Sequence, residues 1–405
     1  MSQTNRPHPD ATLKDFDGLE AWEWREDGVR KLELTGKGVL TSYQTDAFKG
    51  EFVGEGHYAI IVKEDCDVYA PRSEDALSIF SEDLEDEERL LLSFRKEVVS
   101  KDLTEEAREA LRGAATLTDN RGIAAGKVDR SKLRSIARDG EIVLIGNGVR
   151  ARYRLPDGTL SATTAANKVL SGIAGNFDAS ARFPFCRQTG YSRNNMEKME
   201  AALPFLEAVS NCFRRQAPIH WGRQDQWMSE SGIRENGWGL GSTVFTTVTV
   251  NRNYRTAVHK DAGDYPRGYG NLSVLEGDPY EGGYTGFPKF RVAVDVRTGD
   301  FLAMNVHEWH GNTEMRPIND PPDGEEWGDP LSKDAGFERL SIVCYSRYGM
   351  RKCGPFEDEV QKRLAWKARF KSSKVLQAEK IVERAEGVLQ ANAEMEELVE
   401  MVSED

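Results

Sequence analysis

Hydrophobic positions change period several times along the chain, and each change predicts where strands give way to helices. Residues 243–250, Thr-Val-Phe-Thr-Thr-Val-Thr-Val, form a β-branched run that suits a strand. Further strands are predicted at 290–296, 301–306 and 340–345, with Gly299-Asp300 as the turn between the first two. Earlier, residues 31–34, 38–43 and 58–63 read as short strands, while 141–145 and 150–155 read as strand–turn units followed by glycine-containing turns. Helical patterns lie between them. Residues 73–112 space Leu77, Phe80, Leu84, Leu90 and Leu91 among acids, and Thr104 is placed to cap a helix opening there. Residues 195–214 bring Met199, Leu203, Leu206, Val209 and Phe213 near helical spacing, with Pro204 marking a kink or a new start. A bridge rich in tryptophan (Trp221, Trp227, Trp238) leads back to strands. Residues 318–336 then interrupt the strand series as a surface insertion or lid, and the pattern beyond 355 is again helical.

This alternation predicts an α+β chain whose strands and glycine turns build a double-sheet jelly roll. It divides into a disordered lead-in (1–12), an N-terminal β-containing extension or small domain (13–170), a core (171–354) and an acidic helical segment (355–405). The expectation for the extension is that it completes the scaffold of the core, and for the last segment that it caps it.

Composition changes this picture little. Apolar and charged content are ordinary for a globular chain, no apolar run is long enough to span a bilayer, and the N-terminus lacks the core of a signal peptide. A cytoplasmic location is expected, or a nuclear one in a eukaryote. Five scattered cysteines lack metal-finger spacing and are expected to be reduced and buried. The net charge of -13 argues against a protein that coats nucleic acid by bulk electrostatics. It leaves room for a local basic groove, because the acids concentrate in 73–109 and beyond 357.

The chemistry concentrates between Thr246 and Tyr348. The chain has six histidines, and His259, His307 and His310 all fall in this stretch. In an extended segment, residues two apart face the same side, so His259 and Asp261 can converge on one ion while Lys260 points away. A third ligand has to come from a distant strand. His310 and His307 both qualify by spacing, and Asp264 competes weakly with Asp261. Two imidazoles and a carboxylate form the ligand set that leaves open positions on a non-haem Fe(II) ion. Arg339, opening a later strand, is placed to clamp the far carboxylate of a keto-acid co-substrate. The His-x-Asp pattern alone is weak. Together with Gly282-Gly283, a Gly-Asp turn, a late histidine and Arg339, it makes a metal site the better reading.

Three runs carry a resemblance: 245–251 (Phe-Thr-Thr-Val-Thr-Val-Asn), 259–264 (His-Lys-Asp-Ala-Gly-Asp) and 306–313 (Val-His-Glu-Trp-His-Gly-Asn-Thr). With 171–178 and 183–187 upstream, they resemble the TET/JBP family of Fe(II)- and 2-oxoglutarate-dependent oxygenases, and its base-J-type branch more than the animal TET proteins. The resemblance implies His259, Asp261 and His310 as metal ligands, and Arg339 and Ser341 as contacts for 2-oxoglutarate. It places a further co-substrate contact at Asp264, where the family often has asparagine. It also implies O2 as oxidant and, as partner, DNA presenting a flipped or single-stranded 5-methylpyrimidine, thymine or 5-methylcytosine, for hydroxylation. A 2-oxoglutarate-dependent hydroxylase of a small molecule or protein side chain, and a non-catalytic reader of modified DNA, are the competing readings.

Overall fold

The computed structural model describes residues 6–369 except 73–88, 129–140, 147, 156, 163–164, 320 and 322–325. Two sheets enclose the site. The large one runs, in spatial order, Thr12–Phe16, Leu19–Glu26, Val29–Leu34, Cys66–Tyr69, Leu90–Arg95, Phe301–Met304, Gly270–Glu276, Arg339–Tyr345, Thr247–Arg252, Val169–Phe177 and Arg187–Gln188, with Thr116–Thr118 also paired to Val169–Phe177. The small one orders Gly311–Asn312, Thr285–Phe287, Val292–Val294 and Ile60–Val62. Strands of the N-terminal extension therefore continue both sheets. Leu90–Arg95 pairs antiparallel with Phe301–Met304, and Ile60–Val62 lies parallel to Val292–Val294. Mixed helix and strand around two facing sheets is the α+β jelly-roll architecture expected from the pattern.

Period-two alternation sorts the side chains of the central strands onto two faces. Leu340, Ile342 and Cys344 join Val248, Val250, Phe301 and Ala303 in a core packed against helices. The helices Lys101–Leu111 and Met196–Gln216 supply Leu111, Phe205, Leu206, Val209 and Phe213 to it. Burying each large side chain of this kind contributes roughly 1.5–3 kcal/mol. On the other face, Leu272, Val274, Leu302 and Met304 pack with Phe287, Val292, Val294 and Val62 between the sheets. Arg339, Ser341, Val343 and Tyr345 alternate with the helix-facing residues and line a cavity instead.

Several local expectations are corrected. Leu90 and Leu91 belong to a buried strand, because that apolar run is paired on both sides and needs no polar face. The helix beyond it begins at Lys101 with Ser100 as N-cap, and Thr104 lies inside, donating to the Lys101 carbonyl. The rest of that predicted helix, 73–88, lies outside the described residues, as do 370–405 of the C-terminal segment, whose described part is helical over 356–369. The predicted strand over 38–43 gives way to a short helix, Ser42–Asp46, because Thr41 and Gln44 form a reciprocal capping box. Trp221 and Trp227 sit on the helix Pro218–Glu230, which opens with a proline at its first position. Pro204 is accommodated inside Met196–Gln216 without ending it. The β-branched run enters the sheet at Thr247 rather than Thr243, whose hydroxyl bonds the Leu240 carbonyl and bends the chain. Cys186 and Cys353 form a disulfide, against the expectation of reduced thiols throughout, while Cys66, Cys212 and Cys344 are free and buried. No helix among the described residues is long and apolar enough to cross a membrane.

Candidate metal centre and its cavity

Backbone pairing builds the centre. Beyond the strand Thr247–Arg252, Asn253 turns in the left-handed region (φ 47°), and the chain then runs towards the small sheet. There His259 and His310 form an antiparallel bridge, each amide donating to the other's carbonyl at 2.9 Å, and the Asp261 amide donates to Val306 at 3.1 Å. The pairing sets the rings side by side, with centroids 4.5 Å apart. His259 Nε2 lies 3.4 Å from Asp261 Oδ1, and His310 Nε2 lies 3.9 Å from Asp261 Oδ2. All three donor atoms fit within 4.8 Å of one another.

Each imidazole is fixed from behind. His259 Nδ1 lies 2.8 Å from the Ala257 carbonyl oxygen, and His310 Nδ1 lies 2.9 Å from that of Glu308. A proton on Nδ1 satisfies each carbonyl and leaves Nε2 as the lone-pair donor, turned towards Asp261. The same donor chemistry fits a divalent transition metal such as Fe(II). His307 is elsewhere: its Nε2 is 3.2 Å from the Tyr265 carbonyl oxygen, and it is not part of the cluster.

Charge follows geometry. Burial pushes the Asp261 carboxyl up, but the hydrogen bond from His259 and the charges of the two imidazoles outweigh it and hold the group at about 2. Burial and the neighbouring His259 drive His310 down to about 4. Burial also opposes charge on His259, yet Asp261 prevails and raises it above the ordinary value. The centre is thus one anion beside two imidazoles, and a dication can replace the proton that Asp261 favours on His259.

The cavity in front of the centre measures about 480 Å³ and reaches from His259, Asp261 and His310 to Arg339 and Ser341. Arg339 is 2% exposed. Its amide donates to Asn253 Oδ1 and its Nε donates to the Tyr280 hydroxyl at 3.0 Å. Its Nη2 is buried and finds no hydrogen-bond partner among the described residues. An orphaned guanidinium nitrogen in a closed wall is costly unless an anionic ligand meets it. Arg347, the other cavity-lining arginine of this segment, differs: its Nε donates to Asp178 Oδ1 at 2.5 Å, and it lies over the Phe177 ring. Ser341 lies two residues beyond Arg339 on the same strand face. Asp264 also lines the cavity, in a bridge with Arg347, and burial together with the Asp261 charge pushes its carboxyl well above the usual range.

The structure therefore brings His259, Asp261 and His310 into one cluster, and Arg339, Ser341 and Asp264 into the same cavity. Sequence reasoning missed Asn251 and Tyr345, which line it together with Tyr254, an aromatic that the sequence places near the motif. Asn251 and Tyr345 were accessible in principle, since they share strand parity with Thr249 and Arg339. Arg121 carried no such signal. It reaches the wall from the loop before Gly122–Ala125, and burial lowers its pKa despite nearby Tyr345, Tyr254 and Asp261.

Residues 173–348 match the Tet_JBP family, the oxygenase domain of the 2OGFeDO superfamily. Thymine dioxygenase JBP1 of Crithidia fasciculata is 30% identical over 254 residues, 62% of this chain and 28% of that protein. Thymine dioxygenase JBP1-A of Trypanosoma cruzi is 36% identical over 180 residues, 44% of this chain and 19% of its own length. The bifunctional helicase and thymine dioxygenase JBP2 of Leishmania infantum is 32% identical over 182 residues, 44% of this chain and 15% of the relative. The chain spans less than a third of the length of these curated relatives. A solved structure of NgTET1 in complex with 5mC DNA aligns at 12% identity and a TM-score of 0.43, covering 77% of this chain and 86% of that one. The similarity to the Tet_JBP oxygenase domain thus lies in residues 173–348, less than half of the chain.

Proposed function

We propose that the chain is an Fe(II)- and 2-oxoglutarate-dependent dioxygenase that hydroxylates the 5-methyl group of a pyrimidine in DNA, with thymine as the first candidate. One observation carries the reading. A two-histidine, one-carboxylate cluster and a buried arginine with an orphaned Nη2 face the same cavity. The choice of thymine rests on relatives named as thymine dioxygenases.

His259 and His310 supply Nε2 and Asp261 a carboxylate oxygen, and the Ala257 and Glu308 carbonyls keep both rings in the ligating tautomer. With 2-oxoglutarate and O2, the bound iron supplies the oxidising power to hydroxylate an unactivated methyl group while the co-substrate is decarboxylated to succinate. Arg339 pairs with the distal carboxylate of 2-oxoglutarate, its guanidinium oriented by the Tyr280 hydroxyl. Ser341 and Asp264 complete the polar lining around the co-substrate. The sheets shield the centre from bulk water, so a base inside a duplex has to leave the stack to reach it.

The test is incubation of the protein with iron, 2-oxoglutarate and ascorbate and with oligonucleotides containing thymine alone or 5-methylcytosine, followed by nucleoside mass spectrometry. 5-Hydroxymethyluracil is the expected product, and 5-hydroxymethylcytosine would move the target to 5-methylcytosine. Oxidation of neither base by protein that binds iron and 2-oxoglutarate would move the answer to a small-molecule or protein hydroxylase, which the net charge of -13 favours.

A further inference from the structure

The two segments that place Asp264 and Arg347 in the cavity also build a second surface outside it. They run antiparallel: the Tyr265 amide donates to Ser346, the Tyr348 amide donates to Gly263, and Asp264 bridges Arg347 between them. Alternation along paired extended chains sends neighbouring side chains to opposite sides. Asp264 and Arg347 line the cavity, and Tyr265 and Tyr348 next to them do not. Trp227, from the helix Pro218–Glu230, joins these rings, stacked on Tyr265 at 4.4 Å (16° between planes) and on Tyr348 at 6.1 Å (25°). Arg351 lays its guanidinium 3.5 Å over the Tyr348 ring.

Packing accounts for only part of this arrangement, since Trp227 rests on the helix-side core while the rings beside it reach the surface. Tyr348 is 37% exposed, Arg351 and Arg267 are exposed, and Trp227 and Tyr265 are only half-buried. An aromatic face left at the surface has a cost that a ligand offsets. Cations surround the rings: Arg267 and Arg223 both act on the Tyr265 hydroxyl, with Glu230 as an acidic neighbour acting against them.

We infer that this stack is a strand-docking rim, holding the DNA strand beside the extruded nucleotide, with Arg267 and Arg351 on phosphate oxygens and an unstacked base or sugar against Tyr348. The inference rests on the reading of the cavity as a DNA-base oxygenase site. Its chemistry is that of single-strand binding, where aromatic faces take bases without sequence preference and arginines follow the backbone. Charge selects this occupant, because Arg351 lies over the Tyr348 ring and the exposed Arg267 acts on Tyr265, while both tyrosines adjoin cavity-lining residues in sequence. A nucleotide inside the cavity leaves its neighbours along the strand outside it, where they need a surface of their own. The overall negative charge makes such a local basic rim necessary for nucleic acid to approach.

The test is fluorescence anisotropy with the full chain, anaerobic Fe(II) and 2-oxoglutarate, and a labelled oligonucleotide carrying one mismatched thymine. Tyr348→Ala is expected to weaken binding roughly ten-fold. The double variant Arg267→Ala, Arg351→Ala is expected to flatten the plot of log affinity against log salt by about one to two units. The metal-to-ligand charge-transfer band of 2-oxoglutarate should be unchanged in all variants, which separates docking from a damaged fold. Wild-type affinity and salt slope in these variants, with thymine oxidation intact in the parent protein, would overturn the rim alone. A parent protein with a normal band that neither binds nor oxidises the oligonucleotide would overturn the DNA reading and the rim with it.

Discussion

The two ends of the cavity are built on opposite principles. At the metal end, both Nδ1 atoms already have carbonyl partners, and Asp261 balances two imidazoles. At the other end, Arg339 is more deeply buried than His259 or Asp261, yet its Nη2 has no partner among the described residues. The first end is internally balanced and fixed by backbone pairing. The second holds uncompensated charge and is completed only by what enters. The contrast implies that damage at the metal end removes the reaction, whereas damage at the arginine end changes how much co-substrate the protein needs.

The strongest way to break that contrast is His259→Ala, Asp261→Ala or His310→Ala. Each removes one donor of the three-residue cluster proposed to hold the iron, and each is expected to abolish iron-dependent succinate formation. Measurable turnover in any of them would mean the cluster is not the metal centre.

Arg339→Ala comes next. Iron should stay bound while the 2-oxoglutarate requirement rises steeply, since a buried carboxylate without its guanidinium costs on the order of 3–5 kcal/mol. Titration of 2-oxoglutarate into the anaerobic Fe(II) protein, followed by the charge-transfer band, reads this directly. Unchanged affinity would reassign the clamp, with Arg347 as the cavity's next candidate.

Tyr280→Phe sharpens the comparison more gently. It removes the hydroxyl that accepts from Arg339 Nε and keeps the ring, so 2-oxoglutarate affinity should fall several-fold, in line with about 1 kcal/mol for one hydrogen bond. No change in the same titration would show that Arg339 is oriented by its strand alone.

The smallest effect is expected for His307→Ala. Its ring faces the Tyr265 carbonyl and lies outside the donor cluster, so iron binding measured by metal analysis should persist with a measurable fraction of turnover. A protein without iron would show that the ring orders the segment leading to His310.

Much of this was legible in the chain because it depends on local spacing. Residues two apart in an extended segment share a face, which put His259 beside Asp261 before any contact was known, whereas Ser341 came only from the family resemblance. The β-branched runs marked the central strands for the same reason, since branching at Cβ suits a pleated, half-buried surface. Where long-range pairing decided the outcome, local pattern misled. The Leu90–Leu92 run resembles a helix face until neighbours on both sides make it an interior strand.

The sequence by itself determined the chemical vocabulary of the site: two imidazoles, a carboxylate and a late arginine on strands of known parity. Spacing left two histidines three residues apart open and the family resemblance favoured His310; only the tertiary structure sets His310 beside His259, because their antiparallel bridge spans 51 positions of chain. It alone brought Arg121 to the cavity wall and stacked Trp227 against both Tyr265 and Tyr348. These juxtapositions join segments distant in sequence through sheet register and helix packing, so no local period encodes them.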